Sequence, residues 1–182
     1  MRVARPGRAL VWRARQRIAH WVLAGSVLGC LWLYEGGVLH QRLGYLALTV
    51  AAARVVLGLV GARVERFASF VRGPSATFSY ARALLSHREP RYRNHNPLGG
   101  WMVMALLIAA LAAGASGALY DTDRFWGDAL VYEVHRTAGW SFLVLVPLHV
   151  AGVALASVRH RENLVRAMVD GFKREPGPDD IG

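Results

Sequence analysis

Four apolar runs limit what this chain can fold into. They extend from about Ile18 to Tyr34, Leu39 to Val60, Leu98 to Tyr120 and Val134 to Ser157. Each is near the roughly 20 residues an α-helix needs to cross a hydrocarbon layer of about 30 Å. With 54% hydrophobic and 19% charged residues in 182, the chain is more apolar than a soluble domain of its length. The expectation is an all-α integral membrane protein, a four-helix bundle threaded up-down-up-down because its second and fourth helices follow short links.

The charges outside the runs orient it. Arg2, Arg5, Arg8, Arg13, Arg15 and Arg17 precede the first run. Arg63, Arg66, Arg72, Arg82, Arg88, Arg91 and Arg93 lie between the second and third, and Arg159, Arg161, Arg166, Lys173 and Arg174 follow the fourth. The two short links carry Glu35 and a mainly acidic set, Asp121, Asp123, Arg124, Asp128 and Glu133. An excess of Arg and Lys on alternate sides places both termini and the long link in the cytoplasm. The net charge of +10 is thereby accounted for, and no nucleic acid is expected as a partner. A basic start followed by WVLAGSVLGC resembles a signal segment ending at Cys30. The apolar run continues through Leu31, Trp32 and Leu33, so an uncleaved span is expected. A single cysteine allows no intrachain disulfide, no CxxCH haem attachment and no cysteine metal cluster. The long link has an amphipathic stretch, with Phe67, Phe70, Val71, Phe78, Ala81 and Leu85 able to bury one side, and one short helix on the inner membrane surface is expected there. Residues 1–175 read as one domain, and 176–182, within EPGPDDIG, as a polar tail of poor order.

Polar rings inside the runs point to chemistry. His135 and His149 are fourteen positions apart, close to four helical turns, so both leave one face about 21 Å apart along the axis. Antiparallel threading sets His20 opposite His149 on the inner side and His40 opposite His135 on the outer side. Ionisable groups at such depths are costly and usually functional. Two neutral imidazoles on either side of a flat ligand form the axial pair of a six-coordinate haem, so two haems are expected. His40 precedes Gly44 and His135 precedes Gly139 by four residues, which removes a side chain beside each outer histidine on the same face. Gly25, Gly29 and Gly152 thin the helices that carry His20 and His149, although small residues also serve helix packing.

Arg54 follows His40 by fourteen residues, on the same face and one haem depth further in, where a propionate of the inner haem is its natural partner. Arg42 and Arg136 could serve the outer haem in the same way, or lie among headgroup and loop charges. His87 and His160 sit among arginines and are expected to be solvated. In NHNPLGGW, Asn96 can cap a helix with Pro97 in its first position, and His95 is left for proton transfer at a quinone pocket.

Together RIAHW, LHQRLGY, HNPLGGWMVMALL and VHRTAGW…PLHVAGVALASVRHRENLVRAM resemble the bacterial cytochrome b561 family, four-helix di-haem membrane cytochromes related to the b-type subunits of nickel–iron hydrogenases. The resemblance runs from about Leu10 to Arg174. It implies two haem b groups on His20, His40, His135 and His149. It further implies electron exchange with quinone in the bacterial inner membrane and, for some members, oxidation of superoxide. Two roles follow: a self-sufficient quinone-linked oxidoreductase, or a membrane anchor for a catalytic subunit such as a hydrogenase, with a periplasmic c-type cytochrome as another possible partner. A carrier using the histidines as transient metal-ion ligands is the competing class. It requires carboxylates along the path, and the runs have almost none.

Overall fold

The computed structural model describes residues 7–178 and 180–181 of the chain. Its long elements are α1 (Ala14–Trp32), α2 (Val38–Val60), α4 (Pro97–Tyr120) and α5 (Ala129–Arg159), with shorter helices α3 (Pro74–Leu85) and α6 (Leu164–Asp170). Two three-residue strands, β1 (Arg8–Leu10) and β2 (Phe172–Arg174), pair antiparallel, Arg8 opposite Arg174.

Local chemistry sets the boundaries. The Gln16 side chain accepts from the Arg13 amide at 3.0 Å where α1 begins. After α1 the chain turns through Gly36 and Gly37, both at φ +95, a region other residues enter only with strain. Asn96 accepts from the Gly99 amide at 2.7 Å with Pro97 in the first position of α4, as the NHNP motif predicts. Asp128 accepts from the Val131 amide at 2.9 Å, so α5 starts ahead of its apolar run and continues through Pro147 for 31 residues. Asn163 caps α6 on the Arg166 amide at 2.7 Å, and Gly171 at φ +91 ends it.

Three helices, α2, α4 and α5, are long and apolar enough to cross a membrane. The expected fourth, α1, is not among them: its 19 residues include Arg15, Gln16, Arg17 and His20, which lower its hydropathy. The core consists of small and aliphatic side chains, Val27, Ala47, Ala51, Leu107, Ala109 and Ala110, with Phe142. Large apolar groups such as Leu143, Val144, Leu148 and Leu155 point outward, the distribution expected where the surrounding solvent is lipid rather than water.

Close packing follows the order α1 on α2, α2 on α4, α4 on α5. Glycines permit it. A methyl at Gly29 would lie 2.7 Å from Leu43 Cδ1, and one at Gly114 would lie 2.8 Å from Leu48 Cβ. Gly29 is therefore a helix-packing position rather than space beside His20. By contrast, α5 is not closely packed on α1 or on α2.

The long link folds differently from the single amphipathic face expected of it. Phe67 and Phe70 turn inward ahead of α3, Phe67 over Gly58 and Phe70 against Gly100, and Phe70 is buried. In α3 the buried residue is Tyr80, while Phe78 and Leu85 are 73% and 84% exposed, so these side chains share no buried side with Phe67 and Phe70. The tail also departs from expectation. Ile181 bridges Tyr92, its amide donates to the Arg91 carbonyl at 2.9 Å, and Asp180 pairs with Arg91, which also holds Glu162 at 2.9 Å. A buried guanidinium with two carboxylates docks the tail that its Pro/Gly composition suggested was loose.

Candidate functional site

The four histidines within the long helices meet two by two. The rings of His20 on α1 and His149 on α5 have centroids 6.3 Å apart, and those of His40 on α2 and His135 on α5 are 6.0 Å apart. The paired residues come from α1 with α5 and from α2 with α5, the helices that are not closely packed on each other. With metal–imidazole bonds of about 2 Å, two imidazoles on opposite sides of one metal have centroids about 6 Å apart, so both pairs fit axial ligation. Their tilts of 46° and 68° leave that fit intact, since each ring can rotate about its own metal bond.

The two pairs differ in their surroundings. His40 Nδ1 bonds the Leu33 carbonyl at 3.0 Å, and His135 Nδ1 bonds the Ala113 carbonyl at 2.8 Å. A carbonyl can only accept, so both Nδ1 atoms carry the proton and Nε2 keeps its lone pair for a metal. Gly117 makes the second bond possible: a methyl there would lie 2.9 Å from both Nδ1 and Cε1 of His135. Nearby, Asp121 accepts from Gln41 at 2.8 Å and from the Tyr45 hydroxyl at 3.1 Å. We call this the acidic end. His20 is half-buried with its Nδ1 buried and unpartnered, and no side-chain hydrogen bond involves His149 among the described residues.

The His20–His149 pair, Arg54 and Lys173 all lie near enough to His95 to act on its charge, and we call this region the basic end. Arg54 is partly buried with Nη1 unpartnered, its guanidinium 4.9 Å from the Phe67 ring and 5.7 Å from that of Phe70. His95 packs against Phe70 at 4.7 Å and edge-on to Trp12 at 5.0 Å, and its Nδ1 is also unpartnered. Burial first, then the charges of Lys173 and Arg54, push His95 down to about 3, so it is neutral. Lys173 lies beyond Trp12, its Nζ donating to the Arg93 and Asn94 carbonyls at 3.0 and 3.3 Å, and burial pushes it down to about 8. Glu65, 2% exposed, is clamped by Arg15 through bonds of 2.8 and 2.6 Å.

The other candidates divide. Methyls at Gly25, Gly44, Gly139 and Gly152 would meet nothing within 4 Å, so these four glycines line open space rather than a helix contact. Arg136 pairs with Glu133 one turn away at 2.7 Å, and Arg42 is exposed. His87 lies against Arg159 outside both pairs, and His160 is half-buried. Sequence reasoning missed Gly117, Glu65 and Lys173. The AGASG segment reads as a packing stripe, and a glutamate in the basic link or a lysine in the basic C-terminal segment reads as a solvated charge.

Fold and site define a helical membrane protein that presents paired imidazoles in open interhelical space. The chain matches the model of the prokaryotic cytochrome b561 family over residues 11–171, and it belongs to that family. It is accordingly a membrane b-type cytochrome of electron transfer that binds haem b. No curated protein and no solved structure matches the chain.

Proposed function

We propose that the protein is a di-haem cytochrome with four spanning helices, carrying electrons between a periplasmic donor or acceptor and the quinone pool of a bacterial inner membrane. The observation that carries this is the pairing of four histidines, from three helices, at 6.3 and 6.0 Å. His20 and His149 hold one haem and His40 and His135 the other. Gly25 and Gly152 flank the first and Gly44 and Gly139 the second, where the absence of a side chain admits a flat ring. Bound haem supplies the one-electron chemistry; the chain supplies position, dielectric and charge.

Arg54 presents an unpartnered Nη1 to a propionate of the haem on His20 and His149. Arg42 is the exposed candidate at the other haem. Arg136 serves there only by leaving Glu133. The chain's basic segments, at both termini and in the long link, support a cytoplasmic placement of all three. In that frame α1 is a span despite its two arginines, which lie in its first turn and are held by protein partners, Arg15 by Glu65 and Arg17 by the Val169 carbonyl. Neutral His95, with its Nδ1 buried and unpartnered, is suited to hydrogen-bond a quinone oxygen at the basic end. At the acidic end superoxide or a c-type cytochrome exchanges electrons.

Haem stoichiometry and the reduced-minus-oxidised spectrum of detergent-purified protein test the reading. Two b haems per chain are expected, with one lost in His20→Ala and the other in His135→Ala. A single haem, or both retained in either variant, overturns it.

A further inference from the structure

The pairing of β1 with β2 sets two arginines against each other. Arg8 stands directly opposite Arg174, and Leu10 opposite Phe172, so both guanidiniums leave the same side of the ribbon as the Phe172 ring. Like charges opposed across an antiparallel pair destabilise it. Arg8 is partly relieved: its Nη2 lies 3.1 Å from Asp170 Oδ2, and its guanidinium lies 5.9 Å from the Phe172 ring. That carboxylate is shared, since Arg166 Nε approaches the same oxygen at 3.5 Å. The Arg174 side chain pairs with no carboxylate among the described residues.

These groups border an open cleft of about 380 Å³, whose lining includes Arg8, Arg166, Phe172, Arg174 and Glu162. Glu162 is already engaged. Its Oε1 accepts from Arg91 Nη2 at 2.9 Å and from the Arg174 amide at 2.7 Å, and Arg91 is shared in turn with Asp180. Lys173 also lines the cleft, with its ammonium turned onto the Arg93 and Asn94 carbonyls. Three guanidiniums thus border one recess with a single carboxylate, Asp170, between two of them.

The neighbouring surface is apolar. The start of α1 holds α6 through the Trp21 indole, which donates to the Met168 carbonyl at 3.1 Å, and through Arg17, which donates to the Val169 carbonyl. Tryptophan in a membrane protein gathers at the level of the lipid headgroups. On α6, Val165 and Val169 flank Arg166 in the helical spacing and are 55% and 63% exposed; Ile18 and Trp21 of α1 are exposed as well. A soluble anion would engage the guanidiniums and leave these apolar groups in water. A phospholipid engages both.

We infer that the recess between β1, α6 and β2 binds an anionic phospholipid, with its phosphate among Arg8, Arg166 and Arg174 and its acyl chains along Val165 and Val169. Phosphate oxygens accept paired bonds from guanidinium groups, and a shared anion relieves the opposition of Arg8 and Arg174. The inference needs a membrane protein and is independent of the number of haems.

The test is native mass spectrometry of the purified holoprotein titrated with phosphatidylglycerol, phosphatidylcholine or inorganic phosphate. It compares the native chain with the double variants Arg166→Gln/Arg174→Gln and Arg166→Lys/Arg174→Lys and with Val169→Ser. The native chain is expected to retain one phosphatidylglycerol in preference to the other two. Retention should weaken about fivefold for each arginine replaced by glutamine, and less in the lysine variant. Val169→Ser should weaken it too. All three side chains are exposed, and an unchanged haem content shows that each variant is folded. The inference is overturned if phosphatidylcholine is held equally well, or if the glutamine variant retains phosphatidylglycerol as the native chain does. Inorganic phosphate binding as tightly as the lipid also overturns it, because the recess is then a site for a soluble anion. So does a dimer that Val169→Ser dissociates while lipid retention stays unchanged, because a second copy of the chain then covers the valines.

Discussion

Gly139→Ala separates a packing role from a haem role at a position where the polypeptide alone gives no reason for glycine. In the protein a methyl at residue 139 meets nothing within 4 Å, and the same holds at Gly44. Both lie inside long helices, α5 and α2, where alanine is favoured over glycine by about 1 kcal/mol. Protein contacts alone therefore predict that Gly139→Ala and Gly44→Ala stabilise the haem-free chain slightly. If the macrocycle on His40 and His135 lies against these positions, the added methyl overlaps it, and overpacking of that kind costs about 1–3 kcal/mol. At about 1.4 kcal/mol per tenfold, haem binding weakens by roughly 5- to 150-fold. The assay is haem titration into apoprotein, with the apoprotein's thermal unfolding measured in parallel. Weaker haem binding with an unchanged or raised unfolding temperature is expected. Gly29→Ala is the control for packing: its methyl would lie 2.7 Å from Leu43 Cδ1, and it should destabilise the apoprotein. Normal affinity in both Gly139→Ala and Gly44→Ala would falsify the placement of the haem between α2 and α5.

Other consequences can be read at separate sites. Gly117→Ala drives a methyl to 2.9 Å from the His135 ring and breaks its bond to the Ala113 carbonyl; loss of the acidic-end haem signal is expected, with the other haem retained. Arg15→Ala leaves the Glu65 carboxylate, 2% exposed, without its cation, and breaking a buried pair in this way costs about 3–5 kcal/mol, visible as a lowered unfolding temperature, whereas Arg15→Lys recovers part of it. Lys173 has its folded pKa lowered to about 8 from 10.5, so between those values the unfolded chain binds the extra proton and stability rises with pH, by up to about 3 kcal/mol at 1.36 kcal/mol per unit. Unfolding temperatures from pH 7 to 10.5 should show that rise in the native chain and not in Lys173→Met. Arg91→Ala strands Glu162 and Asp180, both under 10% exposed, and should release the C-terminal tail to limited proteolysis while the haem spectrum stays unchanged.

The long helices were legible because a bilayer imposes one pattern, about twenty apolar residues bounded by charge, and α2 and α4 start and stop within a residue of their apolar runs. The helix α5 begins earlier than its run because its start is set by the Asp128 cap, which periodicity of apolar residues does not register. The β1–β2 pairing was not legible: three residues at each end of the chain have no pattern distinct from basic flanks, and only the fold brings Arg8 to Arg174. The depth-matched histidines could be inferred because antiparallel threading fixes which residues share a level. What each histidine does with its second nitrogen could not, since the acceptors are backbone carbonyls of Leu33 and Ala113 and carry no sequence signature.

The asymmetry between the two ends has a common origin in topology. The groups of the basic end come from several segments: the cations Arg54 from α2 and Lys173 from β2, and the uncharged ring layer of Trp12, His95 and Phe70 from the chain before α1 and the long link. Lys173 is placed there by β1–β2 pairing, in which it stands opposite Ala9, and by its bonds to the Arg93 and Asn94 carbonyls. At the acidic end the turns are short and hold only what adjacent helix ends supply, the Leu33 carbonyl, Asp121 and its two donors. The long link and the paired terminal strands on one side can thus enclose Arg54 and Lys173, which the two short turns on the other side cannot. Opening the clasp should therefore act on one haem alone. Ala9→Pro, which introduces a ring into β1 opposite Lys173 and removes an amide, is expected to lower the potential of the His20–His149 haem as Lys173 withdraws into water. A shift of the other haem instead, or of both equally, refutes this link between the terminal strands and the site.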